Sequence, residues 1–168
     1  MKIPHELESI NNSIFNSISL KLSDITPEEE SKEYCAYRLN IDNKSALFRV
    51  AKITPKKIGQ FVTLWKRNVN DNKIYPFHFD DDISIVIVNV NNGQESGQFI
   101  FSREILCKKN MFSTNQKEGK RAIIVYPSWD KPISSQAKTT QKWQSDYYLD
   151  LSGTIDLEQA KKLYSNVF

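Results

Sequence analysis

Basic side chains are the feature of this sequence that most directly suggests chemistry, because they fall in two segments. Residues 44–73 hold eight Lys or Arg against one acid, and residues 103–144 hold nine against three. The intervening residues 74–102 hold four acids and no base. Two basic segments can form one face of a fold, and such a face attracts nucleic acid by neutralising phosphates. Ordinary solvated lysines, or blocks that attract one another, are the alternative.

Lys52 stands out within the first basic segment. The pattern predicts a β-hairpin with strands Tyr34–Ile41 and Ser45–Lys52, joined by Asp42-Asn43-Lys44. If Asn43-Lys44 form the turn, Cys35 faces Lys52, and the inward apolar row of the hairpin ends on this lysine. A lysine in that position either extends out of the core edge or lines a cleft.

A strand that ends in lysine, after a hairpin and before a helix, resembles the core of the PD-(D/E)xK nucleases. In those enzymes, an acid two residues before the lysine binds Mg²⁺ together with a second acid on the neighbouring strand. Here that position is Val50, and Glu33 is the nearest acid on the correct face. Mg²⁺ requires oxygen ligands, so we expect the scaffold without catalysis. A metal-dependent nuclease that recruits Glu33 or Asp80–Asp82 is the alternative.

The chain contains few residues that could support other kinds of catalysis or metal binding. His5 and His78 are the two histidines, and Cys35 and Cys107 are the two cysteines. Zinc sites and nucleophilic triads draw on more of these residues. The Asp80–Asp82 run lacks the spacing of a calcium loop. We therefore predict no catalytic residue, no metal site and no cofactor.

The hydrophobic pattern predicts a mixed order of helices and strands. Besides the hairpin, helices are predicted over residues 5–20, 54–67, 102–106 and 134–143 and from Asp156 onward, with strands over 83–90, 97–101, 121–126 and 147–151. Residues 23–32 are predicted as a loop. The fold class is α/β (α+β), a mixed central sheet with flanking helices.

The predicted helix 54–67 matters most for function. Thr54 would cap it and Pro55 would occupy its first position. Its buried stripe would be Ile58, Phe61, Val62 and Trp65, and its exposed stripe Lys56, Gln60, Thr63 and Arg67.

Length and composition limit the class of protein. With 168 residues and 39% hydrophobic residues, the chain predicts a single domain over 1–168. No apolar run approaches 18 residues, and polar residues interrupt the first 22 where a signal peptide needs a continuous apolar stretch. We expect a cytoplasmic protein that does not enter a membrane.

Three stretches resemble the signature of the MepB family. They are residues 48–65 (FRVAKITPKKIGQFVTLW), 97–101 (GQFIF) and 119–130 (GKRAIIVYPSWD), and Gln136 to Gln144 also fits. The resemblance covers about residues 34–150. It implies a small bacterial cytoplasmic protein with a fold similar to the PD-(D/E)xK endonucleases and no established enzymatic activity.

We interpret the chain as a non-catalytic nucleic-acid-binding protein that favours single-stranded DNA or RNA with little sequence specificity. No segment looks like a recognition helix for the major groove, and stacking on aromatic rings needs bases that are already unpaired. A basic-faced protein-interaction module is a further alternative, and the oligomeric state stays open. The predicted contacts are Lys52, Lys56, Lys57, Gln60, Lys66, Arg67, Lys120, Arg121, Tyr126, Trp129, Lys131 and Gln141.

Overall fold

The computed structural model describes residues 3–165. Its strands are β1 (Leu22–Pro27), β2 (Tyr37–Ile41), β3 (Lys44–Val50), β4 (Lys52–Ile53), β5 (Gln60–Thr63), β6 (Trp65–Arg67), β7 (Ile74–Pro76), β8 (Ile85–Asn91), β9 (Ser96–Ser102), β10 (Ala122–Val125) and β11 (Tyr148–Asp150). Its helices are α1 (His5–Ile10), which continues as a π-helical stretch (Asn11–Phe15), α2 (Arg103–Lys108), α3 (Ser135–Ser145) and α4 (Leu157–Ser165). A short 3-10 helix spans Lys32–Tyr34. None of the helices within residues 3–165 has the length and apolar character needed to cross a bilayer.

A six-stranded mixed sheet forms the centre, in the order β1-β2-β3-β8-β9-β11. Within it β3 and β8 run parallel, and the other neighbours run antiparallel. Strand β8 carries the β-branched run Ile85–Val88, which is fully buried. Such continuous burial is typical of a strand covered on both faces. The mixed sheet with flanking helices is therefore confirmed.

The two faces of this sheet pack against different layers. One face, with Phe48 and Ile87, buries the apolar residues of α1 and α4. The other face, with Leu47 and Val88, packs against a small sheet of order β10-β5-β4. Val62 and Val125 are the inward residues of that small sheet, with 1% and 0% exposed. The small sheet therefore forms an outer layer, and the candidate contact residues lie in it and around it.

The prediction of a helix over 54–67 is wrong. The Thr54 hydroxyl donates to the Lys57 carbonyl instead of capping a helix, and Gly59 has a φ of +100°, which ends any helical course. The chain then forms β5 and β6, with Gln60, Val62 and Leu64 all pointing inward at the period of a strand. Ile58 is 39% exposed, so the proposed buried stripe does not exist.

The hairpin forms with a different turn. Ile41 pairs with Lys44, so Asp42-Asn43 make the two-residue turn, and Asp42 adopts the positive φ that such turns require. Relative to the prediction, the pairing is shifted by two residues, and such a shift keeps every side chain on its predicted face. The predicted pairing of Cys35 with Lys52 is wrong, since the chain leaves the central sheet at Ala51. Lys52 instead begins β4 and pairs with Phe61.

Most other elements form near their predicted positions. Residues 23–27, expected in the loop 23–32, belong to the edge strand β1, which pairs with β2 through a bulge at Asp24-Ile25. Strand β7 has no counterpart in the prediction, and β2 begins at Tyr37 instead of Tyr34, because residues 32–34 form the 3-10 helix. The helical structure predicted over 5–20 ends at Phe15. Helix α4 begins as expected, because the Asp156 carboxylate accepts a hydrogen bond from the Gln159 amide and so caps the first turn.

A buried arginine, Arg49, forms an ion pair next to the central sheet and a hydrogen bond to the small sheet. Arg49 on β3 is fully buried, and its two terminal nitrogens donate to both carboxylate oxygens of Glu28 at 3.1 and 3.0 Å. The Arg49 Nε also donates to the Thr63 carbonyl of the small sheet at 3.3 Å. Arg49 on the central sheet is therefore bonded both to the segment after β1 and to the small sheet. It belongs to the basic segment 44–73 of the sequence, yet it contributes nothing to the basic surface.

Candidate nucleic-acid interface

The predicted contact residues divide between the two ends of the small sheet. In the antiparallel pair of β5 and β10, Gln60 lies opposite Val125, and Thr63 lies opposite Ala122. Loop 54–59 and loop 126–131 therefore meet at the Gln60 end, and we call these two loops the loop platform. The sequence around Lys66, Arg67, Lys120 and Arg121 lies at the Thr63 end. A strand of four residues, about 13 Å long, separates the two ends.

Most charges at the Thr63 end are already paired. Lys66 contacts Asp81 at 2.8 Å, Arg67 contacts Glu30 at 2.6 Å, and Arg121 contacts Glu118 at 3.1 Å. Lys120 is exposed, and within residues 3–165 it forms no ion pair. Phosphates would have to compete with three carboxylates here, which weakens the case for this end as an interface.

The lysines at the loop platform have no such competitors. Lys56, Lys57 and Lys131 are exposed, and none of them forms an ion pair in the part of the chain that the structure describes. Lys52, which precedes the first loop, is also exposed and lies 5.3 Å from the centre of the Tyr34 ring. These four ammonium groups are available to a polyanion.

Gly59 and Tyr126 bring the two platform loops together. A Cβ at Gly59 would lie 2.9 Å from the Tyr126 ring and 2.6 Å from Ile124, so the first loop passes directly over β10. Burial raises the pKa of the Asp130 carboxyl in the second loop, and the Gly59 amide offsets this rise in part. Tyr126 is half-buried. Its ring is therefore held at the junction between the two loops.

Gln141 and Gln144, three residues apart on α3, fix the second loop. The Gln141 Nε2 donates to the Pro127 and Asp130 carbonyls at 3.0 and 2.9 Å. Buried Gln144 accepts from the Tyr126 amide and donates to the Ile124 carbonyl, both at 2.9 Å. Gln144 thus occupies the open edge of β10 as a neighbouring strand would. Gln141, predicted as a ligand contact, has its Nε2 engaged in positioning the loop.

Gln60 is also not the exposed contact that the helix prediction required. It is 2% exposed, because it points inward from β5, and its Nε2 donates to the Asn91 carbonyl of the central sheet at 3.0 Å. The prediction of an exposed Gln60 beside Lys56 is wrong because side chains of this segment alternate inward and outward as in a strand, and do not follow the period of a helix.

The Trp129 ring takes part in core packing, which makes it less available for the predicted stacking on bases. It is half-buried and packs against the core cluster between the two sheets. Tyr148 packs against the same cluster, and burial raises the pKa of its hydroxyl to about 12. The Trp129 side chain therefore anchors the loop, and Tyr126 is the better placed of the two predicted stacking residues.

The sequence interpretation missed two lysines on α3. Lys138 and Lys142 are exposed, four residues apart, on the helix that holds the second platform loop. Helix α3 contains no acidic residue between Ser135 and Ser145. An i, i+4 lysine pair on a helix without carboxylates is the signal that would have identified them.

The carboxylates proposed for a displaced metal site are dispersed. Glu33 is exposed on the 3-10 helix. Asp81 is engaged by Lys66 and by the His78 amide, at 2.8 Å each. Within residues 3–165 no three His, Cys, Asp or Glu side chains gather in a way that could hold a metal ion. Nothing in this arrangement therefore favours the nuclease alternative.

Comparisons with known proteins agree with this architecture. The MepB-like family profile matches residues 28–150. A solved structure titled "Crystal Structure of MepB" is similar with a TM-score of 0.76 and 30% identity, over 89% of this chain and 98% of that chain. A search of curated proteins gave no match.

The fold is therefore that of a MepB-type α+β domain. The chain belongs to the MepB-like family. The matched region begins at Glu28, the partner of Arg49, and ends at Asp150, the last residue of β11. It thus includes the central sheet from β2 onward, the small sheet and both platform loops.

Proposed function

We propose that this protein binds single-stranded DNA or RNA without cleaving it, through the loop platform. The observation that carries the proposal is the convergence of Lys56, Lys57 and Lys131 on two adjoining loops, with no carboxylate paired to them within residues 3–165. Lys52, Lys138 and Lys142 extend the same basic region. In this role the protein would act in the cytoplasm.

The type of nucleic acid follows from the shape of the platform. The central lysines Lys56, Lys57 and Lys131 project from short loops. Helix α3, which carries Lys138 and Lys142, is held against β10 through Gln144. No protruding helix is therefore proposed to enter a major groove. Tyr126 offers an aromatic ring at the centre of the platform, and stacking on such a ring requires an unpaired base. We therefore propose weak sequence preference and tighter binding of single strands than of duplexes.

Replacing Lys56 and Lys57 together by glutamine should weaken single-strand binding and flatten its dependence on salt. Each phosphate contact contributes roughly 0.7 to the slope of log K against log salt for single strands, so the double variant should lose about 1.4. Fluorescence anisotropy with labelled single-stranded DNA, RNA and duplex DNA over a salt series measures both quantities.

Lys161 and Lys162 supply the matched control for that experiment. They form a second exposed tandem pair, in which Lys161 contacts Glu158 at 3.7 Å, and they lie on α4, which packs on the opposite face of the central sheet. The Lys161→Gln/Lys162→Gln variant should keep the wild-type salt slope. Equal losses from both double variants would mean that net charge alone drives binding, and the platform would lose its role.

A protein partner is the second candidate function, and one observation favours it. The segments that flank and form the platform expose isoleucines beside the lysines, with Ile53 58%, Ile58 39% and Ile133 81% exposed. Apolar side chains mixed with basic ones fit an acidic protein surface as well as a nucleic acid. Absence of detectable anisotropy change at low salt, with every nucleic acid tested, would favour this candidate.

A further inference from the structure

A recess apart from the loop platform lies at the carboxyl ends of the parallel strands β3 and β8, on the face that α1 covers. It has a volume of about 420 Å³. Ligands of open α/β sheets commonly bind outside the carboxyl ends of parallel strands. The recess shares no lining residue with the two platform loops, and its lining includes Glu6, Val50, Asn89, Gly97, Leu151 and Ile155.

Asn89 is held in one orientation by a chain of buried hydrogen bonds. The Tyr164 hydroxyl donates to Gln98 Oε1 at 2.6 Å, and Gln98 Nε2 donates to Asn89 Oδ1 at 3.0 Å. Gln98 and Tyr164 are both fully buried. The Asn89 carbonyl is therefore occupied, whereas its amide nitrogen makes no hydrogen bond to another group within residues 3–165. The recess thus contains a preorganised donor.

Glu6 supplies the complementary acceptor. It is an exposed residue of α1 that lines the same recess, and one of its oxygens accepts a weak hydrogen bond from the Cys35 thiol at 3.9 Å. Burial, reinforced by Glu6, raises the pKa of that thiol to about 11, so the thiol stays a donor at neutral pH. Val50, Leu151 and Ile155 give the recess apolar surface between these polar groups.

We propose that this recess binds a nucleobase, with the Asn89 amide donating to an acceptor on the pairing edge of the base and the Glu6 carboxylate accepting from a neighbouring N–H. The pairing edge of every common base carries an acceptor next to a donor on a flat, largely apolar ring. Small-molecule sites combine apolar surface with placed polar groups. This recess has both, and His5, Ser9 and Ser13 of the α1 segment add further polar groups to its wall. No basic residue of the platform takes part, so the inference is independent of phosphate binding.

The four common nucleosides test the proposal on the full-length protein, because they carry no phosphate. We expect at least one of them to shift amide resonances at Asn89 and its neighbours in ¹⁵N-resolved NMR titrations. Asn89→Leu and Glu6→Gln should each weaken that binding by about tenfold. Tyr164→Phe should also weaken it, because Gln98 loses the group that orients it.

Glu8→Gln is the matched control, since Glu8 is exposed on the same helix and does not line the recess. It should leave nucleoside binding unchanged. Folding of each variant is checked by its amide spectrum before titration. No response to any nucleoside, or a response that persists unchanged in both Asn89→Leu and Glu6→Gln, would overturn the proposal. Loss of oligonucleotide binding in the platform variants, with nucleoside binding intact, would separate the two sites.

Discussion

Replacing Arg49 by methionine should lower the free energy of unfolding by about 3–5 kcal/mol. The change leaves the Glu28 carboxylate, whose side chain is 13% exposed, without its bidentate partner in a nearly dry environment. It also removes the donor to the Thr63 carbonyl, which ties the central sheet to the small sheet. Urea denaturation monitored by tryptophan fluorescence measures the loss.

Two further variants identify the cause of that loss. Arg121→Met removes an arginine from an ion pair with Glu118 that is largely exposed, so it should cost less than about 1 kcal/mol. The double variant Glu28→Leu/Arg49→Met should be more stable than Arg49→Met, because it leaves no unpaired buried charge. If Arg49→Met were as mild as Arg121→Met, the contacts of Arg49 with Glu28 and Thr63 would not stabilise the fold as argued.

Replacing Gln144 by methionine should lower the free energy of unfolding by about 2 kcal/mol, because two partly buried backbone groups lose their partners, at the lower end of about 1–3 kcal/mol each. Methionine keeps the length of the side chain, so the main loss is the hydrogen bonds to the Tyr126 amide and the Ile124 carbonyl. Hydrogen exchange should accelerate selectively at the Tyr126 amide in the variant. A general loss of core stability would instead accelerate exchange at many amides.

Gln136→Met provides the reference for this second variant. Gln136 is exposed on the first turn of the same helix. Its replacement should change stability by no more than about 0.5 kcal/mol and leave exchange at Tyr126 unaltered. Equal behaviour of the two variants would show that α3 does not hold the edge of β10 through Gln144.

The inner strands of the central sheet could be predicted from the sequence because their pattern is unambiguous, whereas most of the edge strand β1 lies in a segment predicted as a loop. The run from Ile83 to Val90 is β-branched and almost continuously apolar, which leaves no helical alternative at that length. The return strand and the closing helix follow from the Asn91–Gly93 turn and the Asp156 cap. These signals are local, and each agrees with the global fold.

The small sheet could not be predicted for a physical reason. Residues 58–65 contain apolar side chains at both periods, since Ile58, Phe61 and Trp65 fit a helix, while Val62 and Leu64 fit a strand. Thr54-Pro55 then resembles a helix start. Tertiary pairing with β10, whose Ile124 lies opposite Phe61, and the positive φ of Gly59 decide in favour of the strand.

The basic character of the candidate site could be predicted from the sequence, but the set of residues that belong to it could not. The basic segments correctly indicate Lys56, Lys57 and Lys131 as exposed groups. Sequence position gives no means to see that Arg49 is buried against Glu28 or that Lys66 is paired with Asp81, because both carboxylates are distant in sequence. The polarity of Gln141 suggests a ligand contact, whereas its partners are two loop carbonyls.

The most direct test of the central claim is an NMR titration of the wild-type protein with an oligothymidine of about ten nucleotides at low salt. We expect the largest amide shifts on residues 54–59 and 126–131, smaller shifts near Lys138 and Lys142, and a reversal of these shifts by added salt. Shifts confined to the opposite end of the small sheet, around Lys66 and Arg121, would show that the loop platform is not the binding surface, and the absence of any saturable shift would show that the protein does not bind single strands.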